Sequence, residues 1–579
     1  MCTRISVLCG ALALFALPAA FPQQSNQTPG LTLRQPDTSE RTLVPPVRPF
    51  QMRPRIGVLA ETPLSLRQAL AMALMNNKDI ESSRIDQEEA VYTLAGARGA
   101  FDPVVSGTSF WEKQITPIAS ALGGSATGAV LNKIWDSDPT LSGNTPWWGG
   151  SYRIDFANQR VYTNNSFVTL NPQYPLSLNL QYTQPLWRGL RYDANRHAID
   201  VGKKNLSLTD EQFRQRVMQV VEQAERGYWE LVYAYNNLAV QLEAVGIAQQ
   251  QDESNRRQEQ QGLLAPIDVV AAQTQLANFE IGAFTAQTAL AQAENALKTL
   301  ILPDRSSPMW TSALIPTTPA ETAPPITPLD DAIHEALLSR PEVAEVRISG
   351  EINKDDTRYY RELTKPQVDL TASYDRAGLA GIVVPGPNPL TAGFLPIIER
   401  LNELSALAGL EPINLSGLTG SPTPPLLIGS YGQAIENLWN GNFPTTEVQL
   451  RVSFPIRNRT AEANLGRSLA EERRIKNQRE QVEQNIQSDV RTAMQSIQTA
   501  QASLEAARVA RASAEEQYQS EQRQFRAGTS TLFLVQQRQS TMIAARSQER
   551  RAQSDLAEAI ASYELATASI LQRHDITLK

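Results

Sequence analysis

The sequence consists of two halves that repeat each other at a nearly constant spacing. Residues Ala73–Ile85 align with Ala336–Ile348 at a separation of 263 positions, and further along Gly262 aligns with Gly528 at a separation of 266. Self-similarity over such lengths is the signature of a duplicated structural unit. Any fold proposed for this chain must therefore accommodate one unit twice.

Each half contains the same order of predicted elements. Two helical segments come first, at 64–100 and 328–363, and segments of alternating polar and apolar residues follow, at 177–183, 367–374 and 447–454. A period of two indicates β-strands with one polar and one apolar face. Such strands also occur half-buried in soluble sandwiches. Between the strands, 115–176 and 378–444 are predicted to be long loops.

A very long helix with a coiled-coil seam is predicted after the last strand of each half. Proline is absent between Pro185 and Pro266 and again after Pro455. Apolar residues recur at alternating steps of four and three, which is the rhythm of a coiled coil. A helix of about 70 residues reaches roughly 100 Å. The seam residues singled out are Tyr228, Leu231, Tyr235, Leu238, Ile497 and Leu504.

Both long helices break at a turn. Gly262 and Gly528 suit the position just after a helix, and Pro266 suits the first turn of the next one. Thr529 follows Gly528 at the corresponding place. The sequence therefore predicts two helical hairpins of similar length.

The N-terminus predicts export. Residues 1–20 combine Arg4 with an apolar run that is too short to span a membrane, as in a signal peptide. A membrane anchor or lipidation of Cys9 are the alternatives. Both cysteines, Cys2 and Cys9, lie in this segment, and residues 21–62 read as a Pro-rich extended tail. No later apolar stretch predicts a transmembrane helix.

The chain lacks the residue patterns of an enzyme. Its three histidines, His197, His334 and His574, are widely separated, so neither a metal site nor a histidine-based catalytic pair is expected. No phosphate-binding glycine loop occurs. The net charge of −7 argues against a nucleic-acid partner. No enzyme activity and no cofactor are predicted.

These features together resemble the TolC family of outer-membrane efflux proteins over about residues 63–571. The resemblance rests on the paired starts 63–70 and 328–333, the segments 184–187 and 454–456 before the long helices, and the two hairpin tips. It implies a first repeat at 63–302, an equatorial linker at 303–327 and a second repeat at 328–579.

The resemblance implies a mixed α and β membrane protein that is a homotrimer. Long coiled-coil hairpins would form a periplasmic tunnel, and four strands per protomer would complete a transmembrane β-barrel in outer-membrane lipid. An open sheet edge in lipid would leave backbone groups unpaired, whereas three copies close it. Asp369, Thr371, Gln449 and Arg451 are then expected to face a wet lumen. The long loops, of which the first carries Trp135, Trp147, Trp148 and Tyr152, are expected outside the cell, as a plug or a binding surface.

A gate is expected at the periplasmic tip, where the family has rings of acidic residues. Here the corresponding positions are Leu534 and Gln537, which are uncharged. The hypothesis is a latch between Asp268 and Arg526, with Leu534 forming an apolar constriction. Alternatively, Asp268 only interacts with the dipole of its helix.

The function predicted is a passive exit duct in the outer membrane of a Gram-negative-type cell, extending into the periplasm. It would work with a periplasmic adaptor protein and an inner-membrane transporter, in drug or metal efflux or in type I secretion. The alternative is a structural coiled-coil protein of the envelope without transport.

Overall fold

The computed structural model describes residues 50–119, 124–125, 128–319, 327–385, 393–413 and 423–578. The predicted signal peptide, with Cys2 and Cys9, lies outside these residues. In chain order, the helices are α1 (Leu66–Asn76), α2 (Lys78–Arg98), α3 (Ala194–Gln260), α4 (Pro266–Ile301), α5 (Leu329–Ser339), α6 (Pro341–Leu363), α7 (Leu395–Leu407), α8 (Tyr431–Asn440), α9 (Arg459–Arg526), α10 (Leu532–Ala566) and α11 (Ile570–Arg573). The strands are β1 (Ala60–Leu64), β2 (Val104–Pro117), β3 (Ala129–Asn144), β4 (Ser151–Thr163), β5 (Leu170–Pro185), β6 (Ser312–Pro316), β7 (Gln367–Val383) and β8 (Phe443–Ser453).

Corresponding helices of the two halves have nearly the same length. Helices α1 and α5 each have 11 residues, and α2 and α6 have 21 and 23. The long helices α3 and α9 have 67 and 68, and their partners α4 and α10 have 36 and 35. The helical segments and hairpins predicted from the sequence are present.

Side-chain caps set the start of the first helices. The Ser65 hydroxyl accepts a hydrogen bond from the Gln68 backbone N–H, and the Gln68 side chain accepts one from the Ser65 N–H. This reciprocal capping box satisfies two backbone donors that a helix N-terminus leaves unpaired. Asn77 separates α1 from α2 and accepts hydrogen bonds from the N–H groups of Asp79 and Ile80.

Six strands form one antiparallel sheet in the order β2-β3-β4-β5-β7-β8. The prediction of two long loops between the strands is wrong. The region 115–176 is not a loop, because it contains β3 and β4, and the sheet accordingly has six strands instead of four. The region 378–444 is not a simple loop either, since it contains the end of β7 and the helices α7 and α8.

A second, two-stranded sheet connects the N-terminal tail to the linker. Strand β1 pairs in parallel with β6, with Ala60 opposite Ser312. The last residues of the predicted tail are therefore a strand, and the linker forms the other strand. The belt formed by β1, β6, α1, α5 and residues 567–578 is called the equator below.

The helical core lies between α3 and its neighbours. Helix α3 packs on α4 towards the tip, on α1, α2 and α6 towards the sheet, and on α10 of the other hairpin. Helix α9 packs in the same way on α10 and α6. Among the described residues, no helix has the length and apolar character that crossing a membrane requires.

Candidate functional site

One face of the six-stranded sheet is polar. In the antiparallel register Asp369 lies opposite Arg451 and Thr371 lies opposite Gln449, so all four share a face. The Thr371 hydroxyl also lies 3.1 Å from the hydroxyl of Thr183 on β5. The structure thus brings together the residues expected to line a lumen. That a lumen exists remains part of the proposal below.

The opposite face is apolar and open to solvent in the single chain. On β8, Val448, Leu450 and Val452 are 68%, 59% and 63% exposed. Their partners on β7, Leu370 and Val368 among them, have the same character. An exposed apolar surface of this extent indicates contact with lipid or protein.

Both edges of the sheet are unpaired in the single chain, and they are compatible with each other. Successive strands alternate in direction, so β2 and β8 run in opposite directions. Every residue of both strands is exposed. Edges like these expose unpaired backbone groups that another chain can satisfy. Joining β8 of one copy to β2 of the next would continue an antiparallel sheet.

The aromatic residues of the first loop do not lie where they were expected. Trp135 is in β3 and Tyr152 is in β4, both within the sheet. Trp147 and Trp148 lie in the turn between these strands, at the helical end of the sheet, where the Gln184 side chain donates a hydrogen bond to the Trp148 carbonyl. The prediction that these residues are outside the cell is therefore wrong for the turn.

Helix α8 covers the far end of the apolar face. Its Ala434 packs with Leu176 of β5 and Ala380 of β7. The approach requires a glycine, because a Cβ atom on Gly378 would lie 2.3 Å from the Ala434 carbonyl oxygen. On β5 and β7, the open apolar surface is thus confined to the part nearer the helices.

The seam residue Tyr228 joins three segments at the equator. It is fully buried, and its hydroxyl donates a hydrogen bond to the Leu64 carbonyl at 3.1 Å. The same oxygen accepts hydrogen bonds from the backbone N–H groups of Thr317 and Thr318 at 3.1 and 2.9 Å. One side chain of α3 therefore holds the ends of β1 and β6 in place.

The other seam residues differ in burial. Leu231, Leu504 and Ile497 are buried, and Leu238 packs against the core. Tyr235, in contrast, is 39% exposed. Tyr235 is therefore not buried in a seam within the single chain. Its part in a seam between protomers stays a prediction.

The tip turns have the expected backbone. Gly262 and Gly528 have φ values of +74° and +77°, a region that favours glycine. Pro266 opens α4, and the Thr529 hydroxyl donates a hydrogen bond to the Gln524 carbonyl at 3.1 Å. Both turns are thus short, and their hydrogen bonds are formed with residues of the adjoining helix end.

The proposed gate residues lie at this tip. Asp268 is in the first turn of α4, and Leu534 and Gln537 are exposed near the start of α10. Arg526 ends α9 and is exposed. Among the described contacts of one chain, Asp268 and Arg526 form no ion pair. A latch between them stays a prediction for the assembled protein.

A group of charged residues lies where α6 packs on α3 and α9. Arg340 donates hydrogen bonds to Glu342 at 2.9 Å and to Asp489 at 3.0 Å. Burial would raise the pKa of Glu342, but the hydrogen bond and charge of Arg340 lower it. Burial, together with the carboxylates of Glu342 and Glu211, raises the pKa of Glu345 to about 7.

One cluster escaped the sequence prediction. The structure places His574 and Glu564, which are ten residues apart, beside Glu225, which is far from both in the sequence. The expectation that no histidine has suitable neighbours considered only spacing along the chain. No periodicity or motif marks the cluster, because it arises from helix packing at the equator.

Comparison with known proteins decides the family. The model of the outer membrane efflux protein family matches residues 153–301 and 427–568, just over half of the chain. The chain belongs to the outer membrane efflux protein family. It is an outer-membrane protein of an efflux family and not an enzyme, as the sequence predicted. No functionally curated protein matches the sequence.

Solved channels of this family share the fold. OprN is similar at 13% identity and a TM-score of 0.59, over 87% of this chain and 90% of that chain. CmeC of Campylobacter jejuni is similar at 14% identity and 0.59, over 87% and 85%. CusC is similar at 15% identity and 0.58, over 90% and 98%. At these identities the likeness establishes the fold.

Proposed function

We propose that three copies of this chain form a passive exit duct, in which the sheets close into one barrel and the hairpins form the periplasmic tunnel. The observation that carries the proposal is the sheet itself, which has one polar face, one apolar face and two edges of opposite direction. In lipid such edges must be paired, since no water is present to satisfy the backbone.

Three sheets of six strands give a barrel of eighteen strands instead of the twelve expected from the family resemblance. The polar face, with Asp369, Thr371, Gln449 and Arg451, lines its lumen, and the apolar face meets lipid. A barrel of this size leaves an aqueous channel, because diameter grows with strand number.

The duct receives its cargo from an inner-membrane transporter through a periplasmic adaptor protein. CusC, which shares the fold, changes conformation as it folds and forms a transmembrane channel, and a channel role for this chain agrees with that behaviour. The driving energy comes from the transporter, because the sequence has no phosphate-binding loop. The cargo is set by that transporter.

Assembly is tested by cross-linking between the edges. The sequence after Cys9 contains no cysteine. Cysteines introduced along β2 and β8 can therefore cross-link only with each other. A protein with one cysteine on each strand should give a covalent trimer for at least one pair, and each single-cysteine variant should not. Detergent-solubilised protein that is monomeric in light scattering and never cross-links would contradict the proposal.

Transport is tested by ion conductance in a planar bilayer. A duct conducts in discrete steps, whereas the alternative function, a structural coiled-coil protein of the envelope, does not. A trimer that inserts into the bilayer but never conducts would favour that alternative, provided that trimers carrying Asp268→Ala with Arg526→Ala or Leu534→Ser do not conduct either.

A further inference from the structure

Two distant parts of the chain place two carboxylates and an imidazole together at the equator. Glu225 lies on α3, Glu564 lies near the end of α10, and His574 follows α11. One potential ligand atom from each residue lies within 4.8 Å of the other two. Glu225 and Glu564 are only 3% and 4% exposed. This cluster plays no part in the proposed duct.

The described contacts leave negative charge in the cluster unbalanced. Arg573 forms an ion pair with Oε1 of Glu564, and its side chain is 30% exposed. The other oxygen of that carboxylate, Oε2, is buried and has no hydrogen-bond partner in the described part of the chain. Glu225 accepts a hydrogen bond of 3.4 Å from the Trp229 indole and lies 3.0 Å from His574 Nε2.

Within the segments that the structure describes, two buried carboxylates therefore share one permanent cation. A buried charge without a partner is costly, so a further positive group such as a bound cation would stabilise the cluster. A neutral imidazole is a common metal ligand.

We propose that Glu225, Glu564 and His574 form a binding site for a divalent transition-metal ion of the zinc type. Two carboxylate oxygens and one imidazole nitrogen are a ligand set that zinc accepts, with a water molecule as the fourth ligand. Oε2 of Glu564 is the oxygen that remains available, since Arg573 takes Oε1. A cavity of about 430 Å³ lined by Glu225 and His574 provides room for that water and a route of entry.

The bound ion would connect the two repeats. Glu225 belongs to the first repeat, whereas Glu564 and His574 belong to the second. Leu66 of α1 and Thr318 of the linker line the same cavity. The metal thus fixes the C-terminal segment to α3 and α10, and the site serves stability instead of transport.

The test uses the full mature protein, purified in detergent and freed of metal with a chelator. Isothermal titration with Zn²⁺ should give one ion per protomer and raise the thermal midpoint. His574→Ala and Glu564→Gln should each weaken binding by at least about 100-fold, since even the outer partners of a metal's ligands contribute about 10–100-fold. His334→Ala removes an exposed imidazole outside the cluster and should leave affinity unchanged.

Two results would overturn the proposal. One is the absence of saturable zinc binding by the metal-free parent. The other is zinc binding of equal affinity in the parent, His574→Ala and Glu564→Gln, because the ion would then bind elsewhere. Glu564→Gln keeps the shape of the side chain and removes only its charge, so it remains informative if His574→Ala fails to fold.

Discussion

Tyr228 shows how much of the equator depends on a single hydroxyl. Its oxygen takes part in three hydrogen bonds, with the carbonyl of Leu64 and the N–H groups of Thr317 and Thr318. The Thr317 N–H also donates to the Leu64 carbonyl, so the hydroxyl completes a small network where β1 and β6 end. The sequence marked Tyr228 only as a residue of the coiled-coil seam, but its hydroxyl group connects these segments.

Tyr228→Phe should lower stability while preserving the packing of the ring. The Thr318 N–H loses its acceptor and the Leu64 carbonyl loses a donor in a largely buried place, at a cost of about 1–3 kcal/mol. The thermal midpoint followed by circular dichroism measures this. Tyr235→Phe is the matched control, because it removes the same hydroxyl from the same helix at a 39% exposed position. Equal midpoints for the two variants would show that the hydroxyl contributes little.

Glu345 should make stability depend on pH. Its pKa in the folded protein, about 7, exceeds that of an unfolded glutamate, about 4.3, so the folded state favours the protonated form. Below about pH 4.3 Glu345 is protonated in both states and does not lower the free energy of unfolding. As the pH rises Glu345 destabilises the folded protein increasingly, and this destabilisation is complete above about pH 7.

Glu345→Gln removes this cost and should stabilise the protein by roughly 1 kcal/mol at about pH 8, allowing for solvent screening, with a smaller gain at lower pH. Glu342→Gln should have the opposite sign at that pH, because Arg340 lowers the pKa of Glu342 and stabilises its charged form. Denaturation of both variants and the parent at two pH values tests the pair. A gain for Glu345→Gln that is independent of pH would exclude this explanation.

The hairpin tips depend on backbone conformation more than on packing. A Cβ atom on Gly262 would meet nothing within 4 Å, yet its φ is +74°. Gly262→Ala should therefore cost about 1–2 kcal/mol through strain alone. Gly246→Ala, in the middle of α3 with equally free space, should instead gain about 0.5–1 kcal/mol. Hydrogen exchange of the amides near the tip should rise only in the first variant.

The proposed gate is also a property of the tip. Asp268→Ala combined with Arg526→Ala should raise single-channel conductance if the two side chains form a latch between tips in the trimer. Leu534→Ser should raise it further, since an apolar constriction blocks ions by dewetting. Arg523→Ala is the control, because Arg523 is paired with Glu516 on its own helix. Unchanged conductance in all gate variants would place the constriction elsewhere.

At the scale of elements, periodicity predicted what is long and regular. The hairpins and their turns follow from the heptad pattern and from glycine placement. In β3, Ser137 and Pro139 interrupt the apolar face, and Asp136 and Asp138 resemble loop residues. Strand β4 does alternate, but it was missed because the whole region 115–176 was interpreted as one loop. In the structure Asp136 and Asp138 lie on the polar face of the sheet. A strand whose polar face carries carboxylates resembles a loop when only one sequence is available.

For the whole molecule, the duplication predicted the helical architecture but not the width of the sheet. The hairpin formed by β3 and β4 has no counterpart among the described residues of the second half, so the repeat itself does not reveal it. Its turn also lies against the segment that joins β5 to α3, since a Cβ atom on Gly149 would lie 2.6 Å from the Gly189 carbonyl oxygen. The turn between β3 and β4 thus packs at the end of the sheet that adjoins the helices.

Replacing residues 118–169 by an Asn-Gly turn should leave four strands per chain and narrow the proposed barrel from eighteen strands to twelve. Strands β2 and β5 would then become neighbours, and they already run in opposite directions. Since diameter grows roughly linearly with strand number, the cross-section and the barrel's own conductance should fall to roughly half. Both the parent and the shortened protein should carry Leu534→Ser. A closed tip would otherwise limit the conductance of both trimers and hide the difference between their barrels. Trimers of both forms with equal conductance would show that β3 and β4 do not enlarge the pore.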